Sequence, residues 1–224
     1  MDIGYLIFVM PALIFAIWAQ SRVSSAYRKY SEMNSGAGLP AYMVAAKLLQ
    51  ESGLGDVRIE RVQGELTDHY DPRDKTLRLS SGVYDSSSVA ALGIAAHEVG
   101  HAVQHAVGYA PLAIRNGLVP VVQLVSNAAF PLFLIGLITQ SGFLMDLGLL
   151  FFLGAVIFQI VTLPVEYDAS KRAINMLEGL GFIAGQESVA VGNMLNAAAL
   201  TYVAATAMAL AQFLRLFMLR GRRD

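Results

Sequence analysis

The chain contains no cysteine. That excludes disulfides, thiolate metal ligands and a cysteine nucleophile together, so a metal here must be held by histidine and carboxylate. Charge is scarce as well. Asp, Glu, Lys and Arg make up 15% of the residues, against about 25% in soluble domains. The basic and acidic residues nearly cancel, 16 against 17, so no basic surface of the kind nucleic acid requires is present, and nucleic acid is excluded as a partner. Histidine occurs only four times, which makes the placement of each one informative.

What the chain has in excess is hydrophobic surface: 55% of its 224 residues, with a mean hydropathy of +0.53. Ile3–Ala19 is an uncharged apolar run at the short end of what spans a bilayer. It reads as a membrane anchor rather than a cleaved signal peptide, because Ala19-Gln-Ser-Arg22 is a poor cleavage site and no basic segment precedes it. Leu118–Thr139 and Phe143–Leu163 are separated only by Gln140-Ser-Gly142 and read as a tight transmembrane hairpin. A last apolar run, Ala197–Leu214, is followed by Arg215, Arg220, Arg222 and Arg223.

Lysine and arginine placement sets the expected orientation. Arg22, Arg28 and Lys29 follow the first run, which only Asp2 precedes; Arg115 precedes the hairpin, and Lys171 and Arg172 follow it. This predicts an outside N-terminus and both polar regions in the cytoplasm. The last run conflicts with the rule, since crossing would put its arginines outside. Asn193, Asn196, Thr201, Tyr202 and Thr206 also lie in or beside it. The expectation is a helix packed on the polar region or lying at the membrane interface, with a fourth span as the alternative. The expected architecture is a mainly α integral membrane protein with three transmembrane helices, or four if the last run crosses. Its segments are an anchor (1–20), a polar region (21–115), the hairpin (116–164), a second polar segment (165–190), and a final helix with a basic tail (191–224).

Within the first polar region, Pro40 and Gly53 bracket a helix over about 40–52. Val57–Val62 alternates like a strand, Asp71-Pro-Arg-Asp74 reads as a turn, and Lys75–Ser80 reads as a second strand, a small β hairpin in all. Ser86-Ser-Ser88 supplies an N-cap for a helix running through His97 and His101 to about Val107.

That helix carries His97-Glu-Val-Gly-His101, an H-E-x-x-H pattern. Residues four apart share a helical face, so both imidazoles can reach one zinc ion at about 2.0–2.1 Å. Glu98, beside the first histidine, is then placed to act as general base on a metal-activated water. His105 is not expected to be the third ligand, because the rise from His97 to His105 is about 12 Å. The extended form with a further x-x-Gly-x-x-His is absent, since Gln104 and Val107 occupy those positions. Asp146 lies a membrane span away from the histidines, about 30 Å, and is expected instead to cap the second hairpin helix. Glu166 is the better candidate: the hairpin returns the chain to the side it left, and His₂Glu with one open position is a catalytic zinc arrangement. Glu178 and Glu187 are the alternatives.

With these residues in view, the chain resembles the bacterial YugP-like membrane zinc metallopeptidases, distantly similar to HtpX-type proteases and CAAX prenyl proteases. The stretches that carry the resemblance are LTDHYDPRDKTLRLS (66–80), AAHEVGHAVQH (95–105), TLPVEYDASKRA (162–173) and LNAAALTYVAA (195–205). The resemblance implies a gluzincin-type catalytic region, one Zn²⁺ per chain held by His97, His101 and Glu166, Glu98 as general base, and the inner membrane of a bacterium as the location. In the HtpX-like group the glutamate is followed by x-x-Ala-Asp, and that aspartate supports a zinc histidine. Here the run is Glu166-Tyr-Asp-Ala-Ser170, with serine in place of the aspartate and Asp168 off the required helical face.

Further roles follow from chemistry. The strand bearing Leu77 and Leu79 is either a substrate-pairing strand or an ordinary internal one. A donor for the oxyanion at the scissile carbonyl is needed: the resemblance puts Tyr202 first, since it lies in one of the stretches that carry it, then His69, with Tyr70 and Arg172 behind them. Ser170 and Arg172 are expected beside the metal ligands or the substrate. Two functions fit: a membrane-anchored zinc endopeptidase acting on a peptide or membrane-protein substrate, or a zinc-binding membrane scaffold with little cleavage.

Overall fold

A computed structural model describes residues 3–221. Asp2, Arg222 and Arg223, used above for orientation, lie outside the described residues. The elements are a π-helical stretch Tyr5–Val9 leading into α1 (Met10–Ser31), α2 (Ala41–Glu51), β1 (Arg58–Val62), β2 (His69–Asp71), β3 (Thr76–Ser80), α3 (Ser81–Tyr84), α4 (Val89–Ala106), α5 (Ala110–Thr139), α6 (Gly142–Gly179) and α7 (Gln186–Gly221). They form two compact units. One comprises Ser21–Leu112 and Val165–Ala199; the other comprises residues 3–20, 113–164 and 200–221.

The first unit holds most of the charged residues among those described. Pro40 precedes α2, and Gly53 just after it adopts φ +72°, so proline and glycine bracket the helix as their backbone preferences dictate. Ser88 caps α4 by accepting from the Ala91 N–H at 3.2 Å. The strands form one sheet in the order β1-β3-β2, with β1 parallel and β2 antiparallel to β3. The expected hairpin of 57–62 with 75–80 does not form: those two strands run parallel, and the antiparallel partner of β3 is the short β2. β2 escaped the sequence pattern because three residues are too few to show an alternation. The core gathers Leu48, Leu49, Leu77, Leu79, Val83, Leu92, Val99 and Leu177. Each fully buried Leu or Val contributes about 1.5–3 kcal/mol.

Leu77 and Leu79 are 0% exposed, and β3 is paired on both edges. A substrate can neither add a strand to β3 nor touch these side chains. The strand is internal, with its alternate residues turned into the core, and the substrate-pairing expectation is corrected accordingly.

The second unit is helical. Gly136 of α5 and Gly148 of α6 sit where an added Cβ would meet the backbone of the facing helix, at 2.6 Å from Met145 N and 2.8 Å from Phe133 N. Such small residues let two apolar helices approach closely where lipid supplies no hydrophobic driving force. Phe133, Met145, Leu149 and Leu216 form the packed cluster of this unit, while Leu124, Ile138 and Phe143 face outward, as lipid-facing positions should. Among the described residues, four helices are long and apolar enough to cross a membrane: Tyr5–Ser31, Ala110–Thr139, Gly142–Gly179 and Gln186–Gly221.

The last of these is the run expected to lie at the interface. In the structure Arg220 Nε donates to Asp146 Oδ1 at 2.9 Å, and the Arg215 guanidinium lies over the Tyr5 ring. The end of α7 thus meets the start of α6 and the start of the first apolar helix, an arrangement compatible with the alternative of a fourth span. Pairing with Asp146 offsets one of the charges that stood against this alternative. Asp146 is an ion-pair partner rather than a cap: Ser141 at the hairpin tip accepts from Leu144 N–H and Met145 N–H, through Oγ and the carbonyl.

Candidate metal centre

α4 and α6 supply the site, and glycine allows them to meet. A Cβ at Gly100 would lie 2.7 Å from the Ala169 carbonyl oxygen and 3.2 Å from Ala169 Cα. The two helix backbones are therefore in contact one residue before His101 and three after Glu166. This close approach brings His97, His101 and Glu166 together, with their donor atoms all within 4.8 Å of one another. His97 Nε2 and Glu166 Oε2 are 3.3 Å apart, and His101 Nε2 and the same oxygen 3.7 Å. Tetrahedral zinc with bonds of about 2.0–2.2 Å needs donors roughly 3.3–3.5 Å apart. The cluster could hold one such ion, and its nitrogen and carboxylate donors suit zinc.

The opposite ring nitrogens are occupied. Ser170 Oγ lies 3.2 Å from His97 Nδ1, and Gln104 Oε1 lies 3.0 Å from His101 Nδ1. Both Nε2 atoms are thereby turned to the cluster, the arrangement in which a ligand histidine is oriented by its second nitrogen. The serine that replaces the aspartate of the HtpX-like pattern still reaches the histidine. Asp168 takes part through Gln104, whose Nε2 donates to Asp168 Oδ2 and to the Val165 carbonyl, both at 2.8 Å. Gln104 was legible only as a polar residue three positions after His101 and therefore on its face; its partners lie on another helix.

Glu166 is 2% exposed. A carboxylate this deep requires compensating partners, and it faces the two imidazoles. Burial pulls the His101 pKa down, but the hydrogen bond to Glu166, the charges of Glu98 and Glu166, and the Gln104 bond outweigh it and hold the pKa above the ordinary imidazole value.

Glu98 is half-buried beside the cluster, and its Oε2 accepts the Tyr70 N–H at 3.0 Å. This bond ties the glutamate to β2, which is fixed in turn by Asp68: its carboxylate accepts the Ser80 N–H at 2.7 Å and the Ser80 hydroxyl at 3.0 Å. Burial raises the Asp68 pKa against the lowering effect of those two bonds, and the Glu98 charge adds to the rise. The sequence marked this stretch only as a source of oxyanion donors; the part it plays in holding Glu98 is carried by a backbone N–H, which no side-chain pattern can signal.

The remaining expected residues fall elsewhere. His105 is exposed, and its Nδ1 pairs with the Tyr70 hydroxyl at 3.0 Å, outside the cluster. His69 is exposed, with Nδ1 2.8 Å from the Thr67 carbonyl. Arg172 Nε donates to Asp168 at 2.6 Å and the guanidinium lies over Tyr109, so it supports the α6 side of the site. Tyr202 belongs to the α7 segment of the other unit. Glu178 is exposed, and Glu187 accepts the Gly36 N–H; neither joins the cluster.

A His₂Glu cluster around a buried carboxylate, with a glutamate beside the first histidine, in a chain with four membrane-length helices, defines a class, and the comparisons agree with it. The family described as "Putative neutral zinc metallopeptidase" matches residues 5–221, and the chain belongs to that family. "Putative membrane protease YugP" of Bacillus subtilis (strain 168) is 43% identical over 222 residues, 98% of this chain and 99% of that protein. No solved structure matches the chain.

Proposed function

We propose that the protein is a membrane-anchored zinc endopeptidase in which His97, His101 and Glu166 hold one zinc ion and Glu98 is the general base. One observation carries the proposal: both histidine Nε2 atoms lie near one Glu166 oxygen, at 3.3 and 3.7 Å, all three donors lie within 4.8 Å of one another, and the other nitrogen of each imidazole is already engaged. Bound zinc would supply Lewis-acid polarisation of the scissile carbonyl and acidify the attacking water. The Glu98 carboxylate takes the proton of that water and passes it to the leaving amine, so a single residue serves both proton transfers. The Tyr70 N–H holds one Glu98 oxygen and keeps the carboxylate turned to its task. Hydrolysis proceeds in one step, with no acyl-enzyme, and the peptide substrate is a soluble or membrane protein chain.

The distribution of lysine and arginine supports a site facing the cytoplasm from the inner membrane. The test is cleavage of an unfolded protein in detergent, with metal analysis in parallel. Wild type should carry one zinc per chain and cleave. Glu98→Gln should keep its zinc and lose about 10²–10⁴-fold in rate. Purified protein without stoichiometric zinc refutes the proposal. Zinc bound without cleavage under any condition selects a zinc-binding scaffold instead, a function for which the Glu98 carboxylate has no use.

A further inference from the structure

Gln104 is 0% exposed, and a buried amide must place two N–H donors and a carbonyl oxygen. Its Nε2 faces two acceptors, the Val165 carbonyl and Asp168 Oδ2, each at 2.8 Å. Neither can donate: one is a backbone carbonyl, and the other is a carboxylate that also accepts from Arg172 Nε at 2.6 Å. Turning the amide over would set its oxygen against both acceptors. The NH₂ group is thus committed to α6, and the amide oxygen is committed to His101 Nδ1 at 3.0 Å. An oxygen at that position accepts, so His101 carries its hydrogen on Nδ1 and presents a bare Nε2 to the metal cluster.

From this accounting we infer that Gln104 is a positioning residue of the metal centre, and that Arg172, Asp168, Gln104 and His101 form a relay which fixes the His101 tautomer and couples α4 to α6. The inference rests on the zinc reading proposed above. The relay also explains how the chain works with serine at position 170. Ser170 attends His97, and the carboxylate at 168 attends His101 through the intervening amide. Asp168 could not reach the ring from its own face of α6, and Gln104 supplies the missing length. The Val165 carbonyl belongs to the residue just before Glu166, so the same amide holds the backbone from which the third donor projects. One side chain thereby ties two of the three donors to each other.

The experiment measures zinc affinity of the full chain in detergent by competition with a chromophoric chelator, using wild type, Gln104→Leu, Asp168→Ala and the double variant, with melting of the zinc-stripped proteins recorded alongside. Gln104→Leu should bind zinc about 10–100-fold more weakly. Asp168→Ala, a change at a half-buried position that retains the Gln104 amide, should lose less. The double variant should be no weaker than Gln104→Leu alone, because without the amide the carboxylate has no route to the ring. Losses that multiply overturn the relay. Unchanged affinity in Gln104→Leu, even with a lowered melting temperature, assigns the residue a packing role only and overturns the inference while leaving the zinc reading intact. If Gln104→Leu does not fold, Asp168→Ala decides: affinity within twofold of wild type refutes the relay. Wild type that binds no zinc refutes both readings.

Discussion

Replacing Gly100 by alanine tests whether contact between two helix backbones sets the metal site. The added Cβ would stand 2.7 Å from the Ala169 carbonyl oxygen, where 3.4 Å is ordinary contact, so α4 and α6 must part by about 0.7 Å, the difference between the two. The obstacle is backbone, which cannot swing aside as a side chain does. Ala169 is one turn from Glu166, and the carboxylate moves with it. Metal sites tolerate ligand displacements of about 0.2 Å, so the expected shift exceeds tolerance roughly threefold and zinc affinity should fall at least tenfold. Stability is the poorer readout. Overpacking costs about 1–3 kcal/mol, but alanine gains about 1 kcal/mol over glycine in a helix interior, and the two partly cancel. The assay is therefore chelator competition, with Gly93→Ala as control. The Cβ at Gly93, one turn before His97, would meet side chains of α7, Met194 Cε at 2.9 Å and Val191 Cγ1 at 3.2 Å, and not the α6 backbone, so zinc affinity should stay near the wild-type value. Gly100→Ala binding zinc within twofold of wild type would refute the reasoning.

Other outcomes follow from the same geometry. Leu77→Ala should cost about 2–5 kcal/mol of stability and leave KM of the surviving folded enzyme unchanged; a shifted KM with intact stability would return the side chain to the substrate. The Arg73 hydrogen bonds, helped by its charge and that of Arg78, hold Asp71 at about 2, so the pair's small contribution is present above the ordinary carboxylate value of 3.8 and is lost as pH falls toward 2. Arg73→Ala should return the Asp71 titration, followed by carboxyl carbon NMR, toward the ordinary value, and an unmoved titration would exclude Arg73 as its cause. With no native cysteine, single cysteines at Ser141 and at Arg220 can be labelled without background. An impermeant reagent should reach both from the same side of the membrane, and opposite sides would rule out α7 as a fourth span.

The two histidines proposed to bind zinc and the glutamate proposed as base lie within five consecutive residues, and helical periodicity alone puts the two histidines on one face. Glu166 was also legible, because a hairpin of two apolar runs must return the chain to its starting side. The fates of Leu77 and Leu79 were not, because alternation marks a strand without telling an edge from a centre. β2 was missed for its brevity. The positive-inside rule left the last apolar run open because it counts arginines alone, whereas the structure pairs Arg220 with an aspartate 74 positions away in the chain.

Local chemistry therefore decided the class of this protein. Spacing along one helix dictates which side chains can share an ion, and long uncharged runs dictate membrane insertion, since both depend only on neighbours in sequence. Tertiary structure decided how the side chains of the candidate metal centre are held. Ser170 on His97, Asp168 on Gln104, the Tyr70 N–H on Glu98, and Gly100 against Ala169 are all contacts between elements. Their existence depends on how closely those elements approach, to a few tenths of an ångström, a quantity that no pattern of residue types encodes.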